Sequence, residues 1–202
     1  MIVVGLTGSI AMGKSETARM FRAENVPVFD ADEYVTQLYR QGGAAVEPVG
    51  RQFPEAIIDG AVDRAILSRI LAADPQLFAR LEAIVHPLVK SGEEKFLADC
   101  RARNEPLVVL DIPLLFETGR ESDVDIVVVV TAPADIQRQR ALARTGMTEE
   151  KLGAILARQM PDSEKRRRAD MIIDTSQGLE AARRDVKAII RKLRSAEDNT
   201  RA

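Results

Sequence analysis

Gly8-Ser9-Ile10-Ala11-Met12-Gly13-Lys14-Ser15 has the spacing Gly-x-x-x-x-Gly-Lys-Ser, which suits these residues to holding phosphate. Gly8 and Gly13 let the backbone turn sharply, so that successive N–H groups converge on one centre beside the positive end of a helix. Lys14 is expected to reach the terminal phosphates of a nucleotide, and the Ser15 hydroxyl offers a hard oxygen to Mg²⁺. Ala11, Met12 and Glu16, within the run or at its edge, are expected to line the same nucleotide. The flanks fit this reading: Ile2 to Leu6 reads as a short buried strand and Ser15 to Arg22 as the opening of a helix, so the loop joins strand to helix.

Other groups able to do chemistry follow. Asp30 and Asp32 flank Ala31 at the end of a second apolar stretch, Val26 to Phe29, where open parallel sheets bind ligands. Asp32 could cap the next helix, but capping needs only one aspartate, so at least one of the two is expected to act on substrate. Asp111 ends the strand Leu107 to Leu110 and has the form of an acid that supports Mg²⁺, or of a strand-end cap. Arg140 and Arg144 lie four apart on one expected helix face, which could fold over a triphosphate and bring charge to the transferring group. Lys165-Arg166-Arg167-Arg168 is a basic run, of which most of Arg166 to Arg168 reads as a solvated helix face. His86 is the only histidine, and a lone histidine is more often a packed helix-end residue than a catalyst.

The elements that must position these groups alternate between strand and helix. Apolar runs at Leu107 to Leu110, Ile126 to Val130 and Met171 to Ile173 complete five strands. Pro133 opens a helix ending near Gly146, and another runs from about Thr148 to Gln159. The last helix is expected to turn Leu179, Ala182, Val186, Ile189, Ile190 and Leu193 inward. From Ala44 to Arg103 strand signals are scarce. The segment reads as helices, with a turn at Asp59-Gly60, a start at Asp74-Pro75, an apolar stripe of Leu77, Phe78, Leu81, Ile84 and Val85, and a break at Pro87. The 202 residues, 46% of them hydrophobic, suffice for one α/β domain with an insertion. With 29 basic and 31 acidic side chains, no global field recruits nucleic acid or membrane. Cys100, the only cysteine, is expected to pack in a helix and excludes an internal disulfide. With no leader or membrane span expected, the reading is a cytoplasmic protein, monomeric or weakly self-associating.

Taken together, Gly5-Leu6-Thr7-Gly8-Ser9-Ile10 with Gly13-Lys14-Ser15, Asp30-Ala31-Asp32, Arg64, His86-Pro87, Pro113 to Glu117, Arg140, Arg144, Gln159, Ala169-Asp170 and Ile173-Asp174 resemble the dephospho-CoA kinase family, in that family's order and over nearly the whole chain. The resemblance implies a P-loop NTPase-type five-stranded parallel sheet flanked by helices. It places a core at 1–31, 107–137 and 169–194, an inserted helical substrate domain at 32–106, a helical lid at 138–168 and a frayed tail at 195–202. It also implies transfer of the γ-phosphoryl group of MgATP to the ribose 3′-hydroxyl of dephospho-CoA, with Asp32 as base, Lys14 and Arg140 as the catalytic charges, and Arg144 on the nucleotide. Arg64 and His86 are implied as substrate contacts. Departures fall at Ala11 and Met12, where the family often has Gly and Ser, at Glu16, often Thr, and at Thr175, often Asn. Lys14 and Ser15 preserve the catalytic end of the loop. The alternatives are another small-molecule or nucleoside kinase, a nucleotide switch, although no Asn-Lys-x-Asp motif is present, or a catalytically silent binding module.

Overall fold

Every residue of β1 (Ile2–Thr7) from Val3 onward is buried, as in a strand covered on both faces. The computed structural model describes residues 1–201, with side chains described as far as Ser195, so the frayed tail expected over 195–202 falls almost wholly outside the described side chains. In chain order β1 is followed by α1 (Lys14–Ala23), β2 (Val28–Asp30), α2 (Ala31–Tyr39), α3 (Val46–Gln52), β3 (Ile57–Ile58), β4 (Ala61–Val62), α4 (Arg64–Ala73) and α5 (Leu77–Ala102). Then come β5 (Leu107–Asp111), β6 (Ile126–Thr131), α6 (Ala134–Leu142), α7 (Glu149–Leu156), α8 (Asp162–Arg168), β7 (Met171–Asp174) and α9 (Leu179–Arg201). Five strands form one parallel sheet in the order β2-β5-β1-β6-β7. Leu6 pairs with Asp111, and Thr131 with Asp174. With β1 central, the Gly8–Ser15 loop leaves from the middle of the sheet's C-terminal edge.

The chain forms two compact units, one of Met1–Val28 with the segment from Cys100 onward, the other Phe29–Asp99. In the first, Val4 and Leu6 of β1 face Ala18 and Phe21 of α1 and Ala182, Val186, Ile190 and Leu193 of α9. On the opposite face Gly5 lies against Leu115 and Val124, so near that a Cβ built there would stand 2.6 Å from the Leu115 side chain. Leu179 departs from expectation. At the first position of α9 it precedes the turn that packs on the sheet, and it is 59% exposed.

The second unit has its own core, from Leu38 and Tyr39 through Val49, Phe53, Leu67 and Leu71 to Val85. It is not purely helical, as β3 and β4 pair antiparallel across Asp59-Gly60, whose φ values of 49° and 76° form a tight hairpin turn. Two-residue strands are too short for alternation to appear in sequence. Pro87 does not end a helix either: α5 continues through it. Pro87 removes the N–H that would reach the Ala83 carbonyl, and both residues are exposed, so water can take that carbonyl. Burial of Ile84 and Val85 before the proline and of Leu88 and Val89 after it holds the two halves in one helix. Phe78, expected inside, is 46% exposed near the start of α5. Further along, Gly92 admits the Tyr34 ring, which stacks at a tilt on Phe29.

Candidate active site

The two glycines that define the loop each meet a specific physical demand. A Cβ at Gly8 would stand 2.6 Å from the Val130 carbonyl oxygen, which is backbone and cannot yield. Gly13 has φ 96° and is the N-cap of α1. It provides no side-chain cap, so the N–H groups of the first helical turn are left for an anion. Between the glycines, Ala11 is held at φ 61°, a left-handed conformation that costs an L-residue roughly 1–2 kcal/mol.

Groups outside the loop hold it on both sides of Ala11. Gln159 Oε1 accepts from the Ile10 N–H at 3.1 Å, and Gln137 Nε2 donates to the Ile10 carbonyl at 2.9 Å. Thr175 Oγ1 lies 2.8 Å from the Met12 carbonyl and 3.2 Å from that of Thr131. Its single proton serves one of them at a time. The Ala132 N–H donates to Met12 Sδ at 3.1 Å. Ala11 itself packs with Ala141 of α6 and Leu152 of α7.

Lys14 forms an ion pair with Asp111, the two side chains being 15% and 1% exposed. Ser15 is exposed in the first turn of α1. Beside the loop a cleft of about 280 Å³ is lined by Gly13, Glu16, Thr17, Arg140, Arg144 and Leu179, among others. Glu16 is tied to Arg19 at 2.6 Å, and the Thr17 hydroxyl turns back to the Gly13 carbonyl. Arg140 does not share a helix face with Arg144, since α6 ends at Leu142 and Arg144 lies in the turn beyond. Arg140 Nη1 donates to Thr175 Oγ1 at 2.7 Å and Nη2 to the Thr175 carbonyl at 2.8 Å, while Arg144 is exposed. The residue that shares the inward face with Arg140 is Gln137, three positions earlier.

In the second unit Asp30 takes the capping role considered for Asp32. Its carboxylate accepts from the Glu33 N–H at 3.0 Å, and Asp32, exposed, sits within the first turn of α2. Arg64 donates to the Thr36 hydroxyl at 3.2 Å, and that hydroxyl donates to the Asp32 carbonyl at 2.9 Å. Burial pushes the Tyr39 hydroxyl above its ordinary pKa, with the positive charge of Arg64 acting against it. His86 is exposed on α5.

Lys165 differs from the rest of its basic run. It is fully buried and pairs with Glu117 at 2.8 Å. Burial works to raise the Glu117 pKa, but the Lys165 ammonium and the Met160 N–H outweigh it and hold the carboxyl below its ordinary value. Arg167 pairs with Glu164, and Arg168 lies 4.8 Å over the Phe116 ring and pairs with Glu121. Sequence reasoning gave no role to Gln137, Thr131 or Thr17, and it used Gln159 and Thr175 only as part of a pattern. The signal that was available for Gln137 was its i, i+3 spacing to Arg140.

Four similarities to known proteins accompany this geometry. Residues 2–181 match the family model described as dephospho-CoA kinase. A dephospho-CoA kinase of Mesorhizobium japonicum is 60% identical over 194 residues, covering 96% of this chain and 98% of its own. A solved structure from Thermus thermophilus, 38% identical, superposes with a TM-score of 0.76 over 95% of this chain and 97% of that one. A dephospho-CoA kinase from Campylobacter jejuni, 20% identical, shares the fold with a TM-score of 0.68, over 95% and 96% of the two chains.

Proposed function

Since the chain belongs to the dephospho-CoA kinase family and is an ATP-dependent kinase of dephospho-CoA, we propose that Gly8 to Ser15 holds the donor phosphates and that Asp32 serves the acceptor hydroxyl. The observation that carries this division is the uncapped N-terminus of α1 behind two obligatory glycines, with Lys14 at its first position. Phosphoryl transfer asks little covalent chemistry of a protein, so catalysis rests on positioning and charge. The loop N–H groups and Lys14 bind the β- and γ-phosphates, and Lys14 exchanges part of its attraction to Asp111 for the nucleotide. Glu16, Arg144 and the rest of the cleft receive the nucleoside end.

The donors available for Mg²⁺ are the Ser15 hydroxyl and the Asp111 carboxylate, oxygen ligands of the kind a hard cation takes. Both residues fit it. When bound, the ion neutralises charge on the phosphate oxygens. Asp32 orients the ribose 3′-hydroxyl of dephospho-CoA and takes its proton, and its carboxylate is available for this because Asp30 caps α2. Arg140, in the proposed lid at 138–168, supplies positive charge to the transferring group. Arg64 and His86 contact the acceptor. A cytoplasmic setting is consistent with the buried lone cysteine, Cys100. Among the described residues no helix is long and apolar enough to cross a membrane.

Asp32→Asn tests the assignment of the base. Turnover with dephospho-CoA is expected to fall by roughly a hundredfold or more while ATP affinity stays near wild type, measured by steady-state kinetics and calorimetry. Wild-type turnover in this variant would remove Asp32 as the base.

A further inference from the structure

Four consecutive peptide units of the phosphate loop are each held by at least one hydrogen bond. Gln159 Oε1 holds the N–H of the Ser9–Ile10 unit, and Gln137 Nε2 holds the carbonyl of the Ile10–Ala11 unit. The Met12 N–H returns to the Ser9 carbonyl at 3.2 Å, and Thr175 Oγ1 holds the carbonyl of the Met12–Gly13 unit. Three of the four partners are side chains from outside the loop. In a trans peptide the N–H points opposite to the C=O. A donor on the Ile10 carbonyl therefore aims the Ala11 N–H the other way, and the Thr175 hydroxyl does the same for the Gly13 N–H.

We propose that Gln137 and Gln159 are positioning residues of the kinase reaction, holding the Ile10 peptide groups so that the Ala11 N–H stays turned toward the nucleotide phosphates. The inference rests on the loop's holding those phosphates, as proposed above. Ala11 makes the need for it specific to this chain. Flipping the Ile10–Ala11 peptide would return Ala11 from φ 61° to the negative φ that L-residues prefer, and would also turn its N–H away from the phosphates. Local sterics therefore favour the unproductive loop, and Gln137, buried at 7% exposure, opposes them through the carbonyl it would have to release. A glycine at position 11 would not need that restraint.

The sense of each bond is fixed by chemistry, because an N–H can meet only the amide oxygen and a carbonyl only the amide nitrogen. Glu can replace the acceptor at position 159 but not the donor at 137. The added charge and the change in size are the same in both.

The test measures ATP affinity by calorimetry and thermal unfolding for wild type, Gln137→Leu, Gln137→Glu and Gln159→Glu, with Gln137→Leu repeated in an Ala11→Gly background. ATP-induced protection of the 11–15 amides from hydrogen exchange in the wild type checks the loop's role first; no protection there overturns the reading of the preceding section. Gln137→Leu is expected to weaken ATP binding about tenfold, and several-fold less when residue 11 is glycine. Gln137→Glu is expected to lose more affinity than Gln159→Glu. Equal losses from Gln137→Leu in the two backgrounds, or equal losses from the two Glu variants, would overturn the positioning role while leaving the phosphate loop intact. If Gln137→Leu does not fold, the paired Glu variants decide alone.

Discussion

Thr175 concentrates several demands in one hydroxyl. It is 8% exposed, lies against two carbonyls and accepts from Arg140. Thr175→Val keeps the shape and removes the hydroxyl, leaving the Met12 carbonyl and one Arg140 donor without it. A stability loss of about 1–3 kcal/mol by denaturant titration is expected, with weaker ATP binding. Unchanged affinity would mean that Arg140 and Met12 hold their places without it. Arg140→Ala is expected to lower turnover more than ATP affinity, and the reverse result would reject Arg140 as a source of charge on the transferring group. At this scale the sequence disclosed the loop, because Gly8, Gly13, Lys14 and Ser15 are constrained by local geometry that a short pattern captures. Gln137 and Thr175 were not legible in the same way. Their bonds reach back 127 and 163 residues, and nothing in a glutamine or a threonine by itself marks a long-range partner.

Among the elements, α8 is anchored by a buried charge rather than by an apolar stripe. Lys165 is fully buried against Glu117, and Arg168 over Phe116 holds the end of the same short helix. Because Glu117 titrates below its ordinary value in the folded protein, its contribution to stability is fully present above the ordinary glutamate pKa and is lost as pH falls through the lower folded value. Acid unfolding of wild type should steepen in that window, and Glu117→Gln should lessen the dependence while lowering stability at neutral pH. An unchanged pH profile would count against the pair. In α5, Gly92→Ala would put a Cβ 2.3 Å from the Tyr34 ring. A destabilisation of about 1–3 kcal/mol is expected from chemical denaturation, and a neutral result would mean that the ring moves aside freely. Helix periodicity was legible for most of α9, whose apolar stripe faces a core. Pro87 misled because a proline's local penalty was weighed without the packing on either side of it, and β3 and β4 were too short to read.

At the scale of the whole molecule, the order β2-β5-β1-β6-β7 places the loop at the centre of the sheet edge, and α1 and α9 bury the face beneath it. Alternation of strand and helix, with apolar runs suited to burial on both faces, made this sheet legible in the sequence. The second unit was legible as an interruption of that alternation and less so in its detail. Its core residues come from α2 through α5, and their mutual packing has no short-range signature. Family membership identifies the acceptor, and the proposed division gives the loop the donor phosphates and Asp32 the acceptor hydroxyl. The most direct measurement is product analysis of the full chain incubated with MgATP and dephospho-CoA, beside adenosine and shikimate as competing acceptors and Asp32→Asn as the control variant. Stoichiometric 3′-phosphorylation of dephospho-CoA with release of ADP, absent with the other acceptors and nearly absent in the variant, is the predicted result. Folded, ATP-binding protein that leaves dephospho-CoA unchanged, or a variant as active as wild type, would contradict it.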